Sequence, residues 1–156
     1  MFGTLKKSIG KIILLLFILF IISPVHSQEQ NIDQIIDGDT FLLKNGEIVR
    51  LLGIDAPERG QPGYDLSSWF LYYITEGEKI RLERDEKEPD KDDYGRLLRY
   101  VFLEKNQKMI NELMLYLGLA DFRYLSREAK YYDRLDDGVR EAEENKHGLW
   151  FFNLFP

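Results

Sequence analysis

The chain has 156 residues, one domain's worth, and enough to bury a core without covalent staples. It contains no cysteine, which excludes disulfides, a thiol nucleophile and thiolate zinc sites. Its two histidines are His26 and His147, and only His147 lies outside the N-terminal segment. Catalysis by paired histidines, by histidine-ligated zinc or by a Ser-His-Asp triad is thereby disfavoured, and carboxylates, arginines and a hard metal remain.

Residues 1–27 carry Lys6, Lys7 and Lys11, an apolar run from Ile12 to Ile22, and a Val25-His26-Ser27 ending. That is the layout of a secretory signal peptide cleaved after Ser27. A membrane anchor is the competing reading, but 11 apolar residues fall short of the ~20 a spanning helix needs. Removing the segment takes away three lysines and no acid, so 21 basic residues become 18 against 27 acidic, a net charge of −9. Such a balance is unfavourable at long range for holding a polyanion. Much of the excess sits between Asp85 and Asp93, a run expected to project into solvent away from any substrate.

Gln28 to Ile32 is read as a leader and Asp33 to Ile36 as the start of a strand that continues through or bends at Asp37-Gly38, where glycine allows a sharp turn. Thr40 to Lys44 and Glu47 to Leu52 are strands, with Asn45-Gly46 expected to form a two-residue hairpin turn. Arg59 to Gly63 is a loop. Leu66, Trp69, Phe70, Tyr73 and Ile74 recur at helical spacing and are expected to face the core, the helix ending near Gly77. Lys79 to Arg84 and Leu97 to Leu103 are strands joined by a charged loop. Ile110, Leu113, Met114 and Leu117 mark a second helix stopped by Gly118, followed by a short extended piece at Leu119 to Arg123. A last helix lies between Ser126, read as its N-cap, and Asn145, with Leu135, Val139 and Ala142 inward. His147 is expected to cap carbonyls or lie on the surface. Trp150, Phe151, Phe152 and Phe155 are read as closing the core from below.

The site is expected between Ile36 and Glu58. An antiparallel hairpin brings the start of its first strand to the end of its second, so Asp39 and Asp55 meet at one rim. Arg50 projects nearby and Glu58 follows one short turn later. Asp-Gly-Asp-Thr alone is an ordinary turn and Ala-Pro-Glu an ordinary helix entry; the pair around a hairpin points to a site. Two carboxylates suit a hard divalent cation such as calcium. With an arginine and a glutamate alongside, they suit hydrolysis of a phosphodiester, where negative charge gathers on phosphorus and water must lose a proton.

IDGDT at 36–40, VRLLGIDAPE at 49–58, DDYGRLLRYVF at 92–102, NELMLYLGLA at 111–120 and GLW at 148–150 together resemble the staphylococcal nuclease (thermonuclease) family over nearly the whole chain after the signal. The resemblance implies an α+β fold: a five-stranded, partly open OB-fold barrel with three helices. It implies Ca2+ held by Asp39, Asp55 and the Ala56 backbone carbonyl, Glu58 as general base, and Arg50 and Arg96 as phosphate-binding arginines. Tyr94 and Tyr124 fall on positions near the bound nucleotide. The implied reaction is sugar-nonspecific hydrolysis of DNA and RNA leaving 3′-phosphate ends, by an exported monomer that has no obligate protein partner and meets the membrane only through its signal.

Three positions depart from the family's pattern. Ala56 stands where threonine is frequent, Asp93 where a basic residue precedes the tyrosine, and Ser126 where a further tyrosine occurs. Gly138 adds a weak point inside the last helix. Taken without the family, Arg96 is a surface arginine paired with Asp92 or Asp93. A catalytically silent OB-fold module binding nucleic acid or protein is the alternative from another functional class, and a membrane-tethered nuclease keeping its N-terminal segment is a third reading.

Overall fold

The computed structural model describes residues 30–155; the expected signal peptide and its cleavage point at Ser27 lie outside the described residues. Seven strands are present: β1 (Ile32–Ile35), β2 (Thr40–Leu43), β3 (Ile48–Leu51), β4 (Ile54–Asp55), β5 (Ile80–Glu83), β6 (Leu97–Leu103) and β7 (Asp121–Phe122). The helices are α1 (Tyr64–Thr75), α2 (Ile110–Tyr116) and α3 (Tyr132–Glu144), with a 3-10 helix at Gly148–Phe152. No helix among the described residues is long and apolar enough to cross a membrane.

Five strands form one curled sheet in the order β1-β2-β3-β6-β5, antiparallel throughout except for the parallel pair β3 and β6. Ahead of β1, Gln30 exchanges both backbone hydrogen bonds with Ile80 of β5, at 2.9 and 3.0 Å, so the two sheet edges meet through a single bridge. This is the expected α+β architecture, a partly open five-stranded barrel with three helices. Alternation puts Phe41, Leu43, Val49 and Leu51 inside, where Ile110, Met114 and Leu115 of α2 and Leu135 of α3 cover them. At the parallel seam, fully buried Asn111 accepts the Val101 amide at 2.9 Å and donates to the carbonyls of Leu52 and Arg99 at 2.9 and 3.1 Å. That side chain fixes the strand end from which β4 departs.

Several expectations change on folding. The Asn45-Gly46 loop has three residues, because Gly46 donates to Leu43 and Leu43 donates to Glu47. Only Gly46 takes a positive φ, 88°, whereas a two-residue type I′ turn needs one at both central positions. The α1 stripe is inverted. Leu66, Trp69 and Tyr73 are exposed, while Ser67, Leu71 and Thr75 face inward with Phe70 and Ile74 at the margin. Small residues win that face because the helix approaches the β1–β2 turn closely: a Cβ on Gly38 would lie 2.6 Å from the Ser67 Cβ and 2.7 Å from that of Ala56. Gly38 is therefore required for space and not for a left-handed backbone. The Ser67 hydroxyl also donates to Leu119 O at 2.6 Å.

The charged run is solvated only in part: Glu86, Lys87, Lys91 and Asp93 are exposed, but other acids of the run turn inward. Asp85 is 3% exposed and accepts from the Tyr100 hydroxyl and the amides of Lys130 and Lys87, each at 2.8 Å, while Glu88 accepts the Ser126 amide at 2.7 Å. Ser126 caps a local turn through Glu128, and α3 begins later, at Tyr132, without a side-chain cap. Leu135, Val139 and Ala142 do face inward, and His147 Nδ1 lies 2.9 Å from Tyr116 O, as expected of a residue at a helix end. At the C-terminus Leu149 is the buried residue and Trp150 packs on the core beside Phe155, but Phe151 and Phe152 face solvent.

Two stability predictions follow from these contacts. A Cβ on Gly138 would meet its nearest neighbour, Leu115, at an ordinary 3.6 Å, so Gly138→Ala should stabilise the fold by about 0.5–1 kcal/mol in chemical denaturation. Burial pushes the Asp85 carboxyl up, but the amides of Lys87 and Lys130 and the Tyr100 hydroxyl outweigh it and hold the group below its usual range. Its stabilisation is thus present above the ordinary carboxylate range and lost as pH falls through the depressed value. Asp85→Asn should cost about 1–3 kcal/mol at neutral pH, with the gap to wild type closing below about pH 4.

Candidate active site

Thr40 pairs with Arg50 across the β2–β3 hairpin, which sets the residue before Thr40 beside the Arg50 side chain. Asp39 enters β2 from a turn in which Asp37 Oδ1 accepts the Asp39 amide at 2.9 Å. Arg50 Nη1 donates to Asp39 Oδ1 and Nη2 to Asp55 Oδ1, each at 2.7 Å. The arginine thus joins the two carboxylates expected to share one rim. Asp39 Oδ1 also accepts the Thr40 hydroxyl at 2.7 Å, and Oδ2 accepts the Ala56 amide at 2.9 Å.

Asp39 is 1% exposed, and burying its charge is costly. Burial raises the carboxyl to about 7, with Arg50 opposing and Asp37 adding to the rise. For Arg50, burial works against the charge, but Asp39 and Asp55 outweigh it and hold the guanidinium above its ordinary value.

One cavity of about 720 Å3 is lined by Arg50, Asp55, Glu58, Tyr94, Arg96 and Tyr124, among others. Asp39 does not line it, being buried behind Arg50, and Ala56 lines an adjoining cavity of about 350 Å3. Glu58 is exposed; its backbone is pinned by Gln61 through bonds of 2.8 and 2.9 Å, and its carboxylate has no partner among the described residues. Arg96 is paired with Asp92, as its sequence position alone suggests, and that pairing aims it. Asp92 Oδ1 accepts the amides of Tyr94 and Arg96 at 3.0 and 2.9 Å, and Oδ2 accepts Arg96 Nε at 2.6 Å. Both Nη groups of Arg96 remain without a partner among the described residues. Tyr94 and Tyr124 are 86% and 82% exposed; the Arg96 guanidinium lies 5.3 Å from the Tyr94 ring.

The donor chemistry fits a hard cation. Among the described residues there is no cluster of three or more histidines, cysteines and acids, but Arg50 joins the carboxylates of Asp39 and Asp55, and the Ala56 amide bonds the first of them. Asp55 Oδ2 and the Ala56 carbonyl accept no hydrogen bond among the described residues, and Asp39 Oδ2 accepts one. These are oxygens of the kind calcium takes. Sequence reasoning missed Asp37, whose carboxylate orients Asp39, and Arg123, which lines both cavities.

Removing the bridge leaves a buried charge uncompensated. Arg50→Met should lower stability by about 3–5 kcal/mol at pH 8 in thermal or denaturant unfolding. The loss should shrink at pH 5, because a protonated Asp39 no longer needs the cation and the native state then binds the extra proton.

The staphylococcal nuclease homologue family matches residues 48–151. The chain is 33% identical to a thermonuclease of Staphylococcus hyicus over 139 residues, covering 83% of this chain and 79% of that protein. It is 34% identical to the endonuclease YncB of Bacillus subtilis over 142 residues, covering 80% and 65%. An uncharacterized protein of Methanocaldococcus jannaschii, MJ1439, is 33% identical over 144 residues, covering 75% and 69%. With the matched residues running from β3 through the 3-10 helix, the chain belongs to the staphylococcal nuclease family.

Proposed function

We propose that the protein is an exported, calcium-dependent nuclease that hydrolyses phosphodiesters of DNA and RNA with little sequence preference, leaving 3′-phosphate ends. The observation that carries this reading is the gathering of Arg50, Asp55, Glu58 and Arg96 on one cleft, with Asp39 tied into it through Arg50. The names of the similar thermonuclease and endonuclease support its nuclease part.

Asp39, Asp55 and the Ala56 carbonyl are the residues that would hold calcium, which would supply positive charge against the negative charge gathering on phosphorus. Glu58, unpaired and lining the cleft, would take the proton of the attacking water. Arg96 offers its free Nη fork to phosphoryl oxygens in the planar geometry that suits phosphate. Arg50 spends three of its N–H groups on Asp39, Asp55 and the Ile54 carbonyl, the last at 3.5 Å. The N–H groups it has left on the cleft wall would add positive charge beside the same transferring group. Tyr94 and Tyr124 present exposed rings for nucleotide contact. Export rests on residues 1–27, and mass analysis of the secreted protein should find a chain beginning near Gln28.

Digestion of single-stranded DNA by the purified protein, with calcium or with a chelator, tests the chemistry. Cleavage is expected only with calcium. Glu58→Gln and Arg96→Ala should each lower kcat by about 100-fold or more while circular dichroism stays unchanged. A folded wild-type protein that leaves the DNA intact in calcium would sink the enzyme reading and favour a binding module.

A further inference from the structure

We propose that Arg123, with the cavity beyond it, forms a subsite for the phosphate and nucleotide next to the linkage being cut; the proposal rests on the nuclease reading above. β7 pairs with β4 so that Asp121 stands directly opposite Asp55, and the Arg123 amide donates to Gly53 O at 3.1 Å. Residues two apart on a strand share a face, so Arg123 sits on the side of the pair that carries Asp55, one step farther along. Arg123 and Asp55 are the residues common to the walls of the two cavities. A polymer crossing the site therefore passes the Arg123 guanidinium on its way from one cavity to the other.

The side chain is held as Arg96 is held. Asp92 fixes Arg96 by accepting its Nε and backbone amides. Asp121 accepts Arg123 Nε at 2.8 Å through Oδ2 and the Phe122 amide at 2.8 Å through Oδ1. In both cases an acid anchored to local backbone takes Nε and leaves the two Nη groups without a partner among the described residues. Arg123 is 39% exposed where Asp121 is 16% exposed, so the anchor lies inward and the fork outward. A fork of this kind matches two oxygens of one phosphate. Beyond it the second cavity has an apolar side, Pro57, Pro62, Leu154 and Phe155, facing the polar Gln61 and Asp121, a mixed lining with an acid in it that suits a sugar and base rather than a second phosphate.

The experiment compares a dinucleotide, which has a single phosphodiester, with a single-stranded decamer of the same base, in calcium, for wild type, Arg123→Ala and Arg123→Lys. The alanine variant should raise KM for the decamer about tenfold relative to the dinucleotide, with kcat on the decamer retained. Lysine keeps a charge beside Asp121 but lacks the fork, and should recover only part of the loss. In parallel, the slope of log binding constant against log salt for a fluorescent decamer on the Glu58→Gln protein should fall by about 0.7 when Arg123→Ala is added. Equal loss on both substrates would make Arg123 a structural partner of Asp121 and overturn the subsite, as would no loss on either. If wild type cuts neither substrate the nuclease reading fails. The salt slope then still decides the subsite, a lowered slope supporting it and an unchanged one overturning it.

Discussion

A carboxylate with 1% of its surface exposed cannot stay charged without a partner, and Arg50 is that partner for Asp39. Because the same guanidinium also holds Asp55, one side chain couples the entry to β2, the body of β3 and the short strand β4. The hairpin register is what makes this possible. A slip of one residue would turn Arg50 to the opposite face and strand Asp39 in the core, so the interaction that assembles the site also selects the correct pairing of the strands beneath it.

Around this bridge the protein repeats a local device. Asp92 accepts two backbone amides and Asp121 one, and each then takes the Nε of an arginine on the same segment. Long side chains lose rotamer freedom when they bind a ligand, and holding them beforehand removes part of that loss. Asp85 does comparable work at larger range, joining β6 to the turn before α3 through Tyr100 and Lys130. The loop it begins is thereby held along one wall of the cleft, with its outer residues in water.

Much of this was legible in the sequence because it is local or periodic. IDGDT and GIDAPE straddle a hairpin, so the meeting of Asp39 and Asp55 follows from strand alternation, and Leu135, Val139 and Ala142 follow from helical spacing. Misreadings arose where a distant residue decided the outcome. The apolar stripe of α1 is the more hydrophobic face, yet closeness to Gly38 gave the inner side to Ser67, and Thr75 is accepted there because its hydroxyl bonds the Leu71 carbonyl. Asp85 and Glu88 looked like members of a solvated run because their partners, Lys130 and Ser126, lie about forty residues later. Asn45 kept a negative φ by bonding its side chain to the Glu47 amide, which lengthened the turn. Arg123 carried one local signal, the Asp-x-Arg spacing that puts acid and base on one strand face.

The cleft draws its cations from few residues, and the loop between β5 and β6 brings three acids, Glu88, Asp92 and Asp93, against one lysine, Lys91, to the same wall. A polyanion outside the site meets an acidic rim on a protein whose expected mature charge is −9. Little holds a nucleic acid chain to such a surface once its phosphate leaves the arginines. A nuclease built this way would let go after each cut, spreading its breaks over many molecules instead of tracking along one.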